Sequence, residues 1–136
     1  MHADVRALAL VAAVMLVAGC MTSADVITDK PWKLVEIGGA APVDPEGIVG
    51  VGFGADGRFE LHTGCRGGGG TYHVDGNRIR IDAETLQPSP CDAAMVTQDG
   101  VLRGVLDSGP RFGLDTGTGQ LRLTGEDGMV LLFVTP

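Results

Sequence analysis

The sequence predicts an α+β domain with about seven short antiparallel strands and one helix, placed between the fifth and sixth strands. Apolar and polar residues alternate along most of the chain after Pro31, which is the period of half-buried strands. Asp-Gly pairs that suit tight hairpin turns separate several of these stretches. One segment near residues 92–107 instead carries apolar residues at helical spacing, with signals for both helix ends.

The first two strands are predicted around apolar residues that follow Pro31. Trp32, Leu34 and Ile37 begin the first strand. The second has apolar residues spaced two apart with glycines between them, so one of its faces has almost no side chains. These residues are Val49, Gly50, Val51, Gly52, Phe53 and Gly54.

Three Asp-Gly pairs predict hairpin turns, because both residue types tolerate positive φ. Asp56-Gly57 precedes an alternating strand around residues 58–62, and Asp75-Gly76 precedes the clearest one, around 78–82. Asp127-Gly128 separates the last two strands. Residues 52–57 also match the G-x-G-x-x-G dinucleotide pattern, but a strand rather than a helix is predicted to follow, so a hairpin explains these glycines better.

The helix is predicted over Asp92 to Asp107. Ser89 is expected to cap its start, followed by Pro90 at the first helical position. A glycine and a proline at residues 109 and 110 end it. The apolar face is expected to contain Ala94, Met95, Val101, Leu102, Val105 and Leu106.

The first twenty residues predict export and lipid attachment. Arg6 precedes an apolar stretch that is shorter than the roughly 20 residues a membrane-spanning helix needs. The tetrad Val17-Ala18-Gly19-Cys20 resembles the lipobox of bacterial lipoprotein signals, in which the cysteine thiol carries diacylglycerol. We therefore expect a signal peptide over 1–19, a lipidated tether over 20–30 and one domain over 31–136. The lipid is expected to anchor it in the bacterial cell envelope, to the outer face of the cell membrane or to an outer membrane.

Composition excludes some classes of function. The chain has 136 residues, enough for a single domain, and a formal net charge of -7. It has no run of lysines or arginines that would neutralise phosphates, so we expect no nucleic-acid partner. A monomer is expected.

Two cysteines remain once Cys20 is lipidated. In an oxidising exported compartment, Cys65 and Cys91 favour a disulfide, for which their Cα atoms must lie about 4.4 to 6.8 Å apart. The alternative is a metal site that adds His62 and His73, although these four residues have no compact zinc-binding spacing. The sequence favours the disulfide and no metal or cofactor.

No catalytic group stands out. There is no G-x-S-x-G nucleophile elbow, and Ser89 and Ser108 lie at the ends of the predicted helix. Aspartates and glutamates are plentiful, Asp99 among them, but most are expected to be hydrated on turns and strand exteriors. We therefore expect a protein that is not an enzyme.

One segment carries a family resemblance. Gly64-Cys65, followed by Gly70 and Tyr72, resembles the G-C-N-x-x-x-G-x-Y signature of the META domain, the family of HslJ-like lipoproteins. The order of motifs from Trp32-Lys33-Leu34 to the last apolar strand is similar to that family's plan. The sequence departs from it at Arg66, where the family usually has Asn, and at residues 87–91, which replace T-x-M-A-C.

The resemblance implies a strongly curved antiparallel sheet, a partly open barrel of about seven or eight strands, with one helix packed across it. It implies no known reaction. The leading functional hypothesis is a non-enzymatic envelope lipoprotein that binds another protein or supports envelope stress tolerance. The alternatives are carriage of a small apolar ligand or lipid, for which Gly50, Gly52 and Gly54 would leave room, and an unrecognised hydrolase.

Overall fold

A computed structural model describes residues 25–136. The predicted signal peptide over 1–19, the lipidation site Cys20 and the first part of the predicted tether lie outside these residues. The described chain forms eight strands and one helix. Their bounds are β1 Pro31–Ile37, β2 Gly50–Phe53, β3 Arg58–His62, β4 Arg66–Asp75, β5 Arg78–Pro88, α1 Ala93–Asp107, β6 Arg111–Leu114, β7 Leu121–Thr124 and β8 Val130–Val134.

The strands form one antiparallel sheet that closes into a ring. Each strand pairs with the next along the chain, and β1 pairs with β8 to complete the circuit. The seam between β5 and β6 is the narrowest, because only Arg78 and Arg111 are paired there in register. The α+β class, the strong curvature and the helix between the fifth and sixth strands are confirmed, and the ring closes where a partly open one was expected.

Local turn chemistry explains the predicted hairpins. Gly57, Gly76 and Gly128 have positive φ values of 84°, 61° and 85°. The Asp56 carboxylate accepts a hydrogen bond of 3.1 Å from the backbone N–H of Arg58. Residues 54–57 thus turn the chain from β2 into β3, as the hairpin interpretation of the G-x-G-x-x-G match predicted.

The glycines that follow Cys65 form part of a strand. They lie inside β4, where Gly68 and Gly70 face the same side of the sheet as the buried Leu61 and Phe59 of β3. A Cβ atom on Gly70 would lie 2.0 Å from the carbonyl oxygen of Asp82, and one on Gly68 would lie even closer to β5. Glycine is therefore required because the backbone of β5 crosses β4 at very short range.

The core fills the inside of the ring. Its largest completely buried side chains come from strands around the whole circuit, and Leu102, Val105 and Leu106 of α1 pack onto them. Gly50 and Gly52 alternate with the inward-facing Val51 and Phe53, so they belong to the outer face of the sheet. Neither glycine therefore opens space inside the ring, and at Gly50 the carbonyl oxygen of Trp32 already occupies the position that a Cβ atom would take. The residues with the largest buried side chains are Phe53, Phe59, Phe133, Ile27, Leu34, Ile79, Leu102, Leu121, Leu123 and Leu131.

The helix occupies the predicted segment, but its cap differs from the prediction. Asp92 is the N-cap, and its carboxylate accepts a 2.9 Å hydrogen bond from the backbone N–H of Met95. Ser89 continues the strand instead, since its N–H donates to the carbonyl oxygen of Cys65 over 2.7 Å. The predicted C-terminal stop is confirmed at Ser108, followed by Gly109 with a φ of 67°.

The folded unit starts before the predicted boundary at Pro31. Ile27 is completely buried in the core, and its carbonyl oxygen accepts a 2.9 Å hydrogen bond from the Trp32 indole. The backbone N–H of Asp29 donates to the carbonyl oxygen of Phe53 over 2.8 Å. Residues 25–30, the last part of the predicted tether, are thus packed onto the domain because they satisfy a buried indole and cover the core.

Across residues 25–136, the structure has no helix of sufficient length and apolar character to cross a membrane.

Candidate functional site

The two cysteines of the domain are joined. A disulfide links Cys65 to Cys91 with a Cα–Cα distance of 5.2 Å, inside the range that such a bond requires. It ties the start of β4 to the segment just before α1. Bonded sulfurs are not thiolate ligands, which removes two members of the alternative zinc site. Within the described range 25–136, no three His, Cys, Asp or Glu side chains form a group that could hold a metal ion.

The glycines of the family motif make close contacts possible. Gly64 has a φ of 90°, and a Cβ atom there would lie 2.6 Å from the terminal methyl carbon of Met95. Gly70 allows the close crossing of β4 and β5 described above. Together with the Cys65 disulfide, these contacts show that the motif shapes the junction between sheet and helix.

Tyr72, the last residue of the motif, fastens the hairpin between β2 and β3. Its hydroxyl donates a 2.6 Å hydrogen bond to the carbonyl oxygen of Gly54. Its ring packs edge-on against Phe53, with a centroid distance of 5.1 Å. Burial raises the pKa of the Tyr72 phenol above its ordinary value, and the negative charges of Asp29 and Asp56 raise it further.

Tyr72 is the single tyrosine of the chain, so its titration can be followed directly. A pKa that is raised in the folded state means that the native protein favours the neutral phenol. The stability from this group is therefore present below about pH 10, the unfolded pKa, and is lost as pH rises through the folded pKa. Near-ultraviolet absorbance should show that the Tyr72 phenolate forms at a higher pH in native than in denatured protein. Coincident transitions would contradict the contacts assigned to Tyr72.

A buried carboxylate links the same junction to the middle of the helix. Thr63 is completely buried, and its hydroxyl donates a 2.5 Å hydrogen bond to Oδ1 of Asp99. The Thr63 oxygen also accepts hydrogen bonds from the backbone N–H groups of Cys65 and Arg66. Oδ2 of Asp99 lies 3.6 Å from the guanidinium groups of both Arg66 and Arg103. Arg66, which stands where the family usually has Asn, therefore pairs with the helix.

Replacing Asp99 with alanine should destabilise the domain by about 1 to 3 kcal/mol, because the buried Thr63 hydroxyl loses its acceptor. The exposed Glu84 of β5 provides a matched control, and Glu84→Ala should change stability by less than about 0.5 kcal/mol. Urea unfolding of the two variants measures the difference. Equal midpoints would show that the hydrogen bond from Thr63 to Asp99 does not stabilise the domain.

The Thr63–Asp99 pair does not form a nucleophile and base for hydrolysis. The Thr63 hydroxyl is inaccessible to a substrate because the residue is completely buried. Ser108 is engaged at the helix end, where its hydroxyl donates to the carbonyl oxygen of Val105 over 2.6 Å. Neither residue has the accessible geometry that acyl transfer needs.

The loop before β2 is held by two polar side chains. The Gln98 amide forms two hydrogen bonds with Val43, accepting from its N–H over 2.7 Å and donating to its carbonyl oxygen over 2.9 Å. The Asp44 carboxylate accepts from the N–H groups of Ile48 and Val49 over 2.8 and 3.2 Å. This loop, residues 43–48, therefore has a defined conformation although its side chains reach solvent.

An apolar cleft of about 470 Å³ lies between this loop and the start of α1. We call it the disulfide cleft, because Cys91 forms part of its wall. Ile48, whose side chain is 49% exposed, stands on the loop side. Across the cleft lies Met95 of the helix. The complete lining is Asp44, Pro45, Glu46, Ile48, Gly64, Pro90, Cys91, Asp92 and Met95.

A second, wider trough of about 860 Å³ runs over the outer face of the sheet. Gly52 and Gly69 lie on either side of Glu60 in the strand register. Charged groups of both signs border this trough, among them Lys30 and Arg58. Its lining is therefore more polar than that of the disulfide cleft.

The sequence placed some of these residues correctly and missed others. Gly64 and Cys65 lie at the junction of the sheet with the helix, whereas Gly70 lies at the crossing of β4 and β5 and Tyr72 at the hairpin between β2 and β3. His62 and His73 are exposed on separate strands. Gln98, Asp99 and the disulfide cleft were missed, because their partners come from loops far away in the chain. The polar residues that interrupt the apolar face of the helix were the available signal.

Comparison with known proteins gives a family and a fold. The META domain family matches residues 25–136, and no curated protein matches the chain. An NMR structure of a protein superposes with a TM-score of 0.64 at 14% identity, covering 82% of this chain and 94% of the other. An NMR structure of a protein from Burkholderia xenovorans gives 0.60 at 16%, covering 83% and 86%. The chain belongs to the META domain family.

Proposed function

We propose that this protein is a non-enzymatic, lipid-anchored component of the bacterial cell envelope that binds another protein. The observation that carries the proposal is the disulfide cleft, where the apolar side chain of Ile48 is held exposed on a fixed loop. A folded protein that fixes an apolar side chain at an open surface gains binding energy without the cost of ordering the loop.

The direction of the chain supports binding on the side away from the membrane. The disulfide cleft is bordered by Ile48, just before β2 begins. Asp29 is hydrogen-bonded to Phe53, at the other end of the same strand. At roughly 3.3 Å per residue, the N-terminal segment and the cleft are separated by about 15 Å. Lipid on Cys20 would thus hold the cleft away from the bilayer surface.

The packing inside the ring favours a protein over an enclosed apolar ligand. Phe53, Phe59 and Phe133 are each about 1% exposed and fill the interior with other core side chains. Gly50 and Gly52 lie on the outer face and open no space inside the ring. The disulfide cleft offers an open apolar surface, which suits a side chain presented by a partner.

Site-specific photocrosslinking in native membranes tests the binding role. A photoreactive residue at position 48 should give discrete protein adducts, and the same residue in place of the exposed Arg122 on β7 should not. In the Cys20→Ala background, anchoring is lost, and the adducts should weaken while the crosslinked site stays the same. Absence of position-48 adducts, or equal adducts from both positions, would reject the proposed function.

The proposed anchor gives a separate expectation. Mass spectrometry of membrane-extracted protein should find diacylglycerol on Cys20 as the first residue, because the lipobox-like tetrad ends there. Globomycin, which blocks lipoprotein signal cleavage, should leave Met1 to Gly19 attached. An unmodified Cys20 in the membrane fraction would contradict the anchor without bearing on the cleft.

A further inference from the structure

We propose that the disulfide cleft receives one apolar side chain from a partner protein segment that carries lysine or arginine next to it. This inference rests on the proposed binding function and adds the chemistry of the partner. It follows from three features of the cleft, namely its apolar floor, its fixed walls and its negative charge.

The floor of the cleft suits a single large apolar side chain. Ile48 and Met95 face each other across it, and Pro45, Pro90 and the Cys91 sulfur complete its apolar part. Its volume of about 470 Å³ lies inside the range of roughly 300 to 1,000 Å³ found for binding pockets. Met95 is flexible and can adjust to the shape of an incoming side chain. A leucine or similar side chain with its backbone would therefore fit.

The walls are fixed before anything binds. On the loop side, the Asp44 carboxylate and the Gln98 amide hold the backbone of residues 43–48 through four hydrogen bonds. On the helix side, the disulfide and the Asp92 cap hold the first turn of α1. Binding therefore orders little of this protein, which retains more of the contact energy as affinity.

The charged residues that line the cleft are all acidic. Asp44, Glu46 and Asp92 line it, and no lysine or arginine does. Among residues 25–136, the ion pairs that the structure shows engage Asp99, and none of them joins a lysine or arginine to these three carboxylates. Lys33 approaches Gly47, which lies between Glu46 and Ile48, but Lys33 itself does not line the cleft.

This charge selects among partners. A basic segment is attracted and an acidic one is repelled, which sets specificity more than raw affinity. Anionic lipid headgroups are disfavoured for the same reason. A partner with an apolar side chain beside lysine or arginine satisfies both the floor and the rim of the cleft.

Labelled synthetic peptides and membrane-extracted full-length protein test this chemistry by fluorescence anisotropy. The first peptide has one leucine between two arginines in a glycine-serine background. In the second, glutamates replace the arginines, and in the third, serine replaces the leucine. The first should bind at least about tenfold more tightly than either of the others, since each lacks one of the two contributions.

Variants of the protein locate the binding. Ile48→Ser should weaken the first peptide about tenfold, and Glu46→Gln about two- to fivefold, with both proteins folded because the two side chains are exposed. Val96→Ser is the matched control, since Val96 is 57% exposed on α1 and does not line the cleft. The affinity of the Val96→Ser protein for the first peptide should be unchanged.

The outcomes separate this inference from the proposed function. Equal affinity for the arginine and glutamate peptides, no binding of any peptide, or an equal loss with Val96→Ser would overturn the partner chemistry. If position-48 crosslinks to a protein persist in the envelope, the binding function stands while this inference fails. Binding of a small apolar dye in the cleft, displaced by no peptide, would also overturn it in favour of a small ligand.

Discussion

Gly70→Ala should destabilise the domain by about 3 kcal/mol or more, because the added methyl group has no room beside β5. The new Cβ would lie 2.0 Å from the carbonyl oxygen of Asp82 and 2.9 Å from the Cα atom of Ala83. Both are backbone atoms of β5, so no side-chain rotation relieves the contact. The two strands must therefore separate beside the register shift between Gly69 and Thr71.

Gly52→Ala is the matched control for this experiment. The same methyl group at position 52 would meet only the Glu60 side chain, at 3.8 and 3.9 Å, which are ordinary contact distances. Denaturant unfolding should therefore show a lower midpoint for Gly70→Ala and a change within about 0.5 kcal/mol for Gly52→Ala. If Gly70→Ala unfolds at the wild-type midpoint, the close crossing of β4 and β5 is not present in solution.

Loss of the Cys65–Cys91 disulfide should lower the free energy of unfolding by about 3 to 4 kcal/mol. The two residues are 26 positions apart, and closing a loop of that length in the unfolded chain accounts for this value in the chain-entropy model. The melting temperature should fall by on the order of 10 °C. The disulfide cleft should also widen, because its helix-side wall begins at Cys91.

Two measurements check this expectation. Non-reducing peptide mapping of envelope-purified protein should recover the two cysteines in one linked fragment, and thermal unfolding with and without reductant should show the difference in stability. The Cys65→Ala/Cys91→Ala protein serves as the control, because reductant should not change its melting temperature. Free thiols at both positions, or reduction without loss of stability, would show that the bond does not hold the junction.

The parts of the fold that depend on neighbouring residues could be predicted from the sequence. Asp56-Gly57 and Asp127-Gly128 form the expected turns, since the glycine φ values and the aspartate hydrogen bonds are set within a few residues. The helix end at Ser108 and Gly109 is set in the same way. Family membership added the curved sheet, which local patterns alone do not specify.

The parts that depend on distant residues were missed. Ser89 has good capping chemistry, but its backbone N–H donates to the carbonyl oxygen of Cys65, which extends the pairing of β5 with β4 by one residue. The helix begins after Asp92 instead. Asp99 looks like a solvated acid until Thr63 is placed against it. The disulfide cleft likewise exists only when the loop before β2 meets the start of α1, a contact that no periodicity encodes.

The pairing of β1 with β8 has a consequence for biogenesis. Lys33 lies beside Val134, so the circuit joins strands from the two ends of the domain sequence. Contacts between such distant positions form late, and a domain that depends on them folds slowly. During translocation with the N-terminus leading, as the proposed export route requires, the first strand would have to wait for the last one to emerge. Until then its apolar residues Trp32 and Leu34 would be uncovered, a state that periplasmic or surface holdase chaperones recognise.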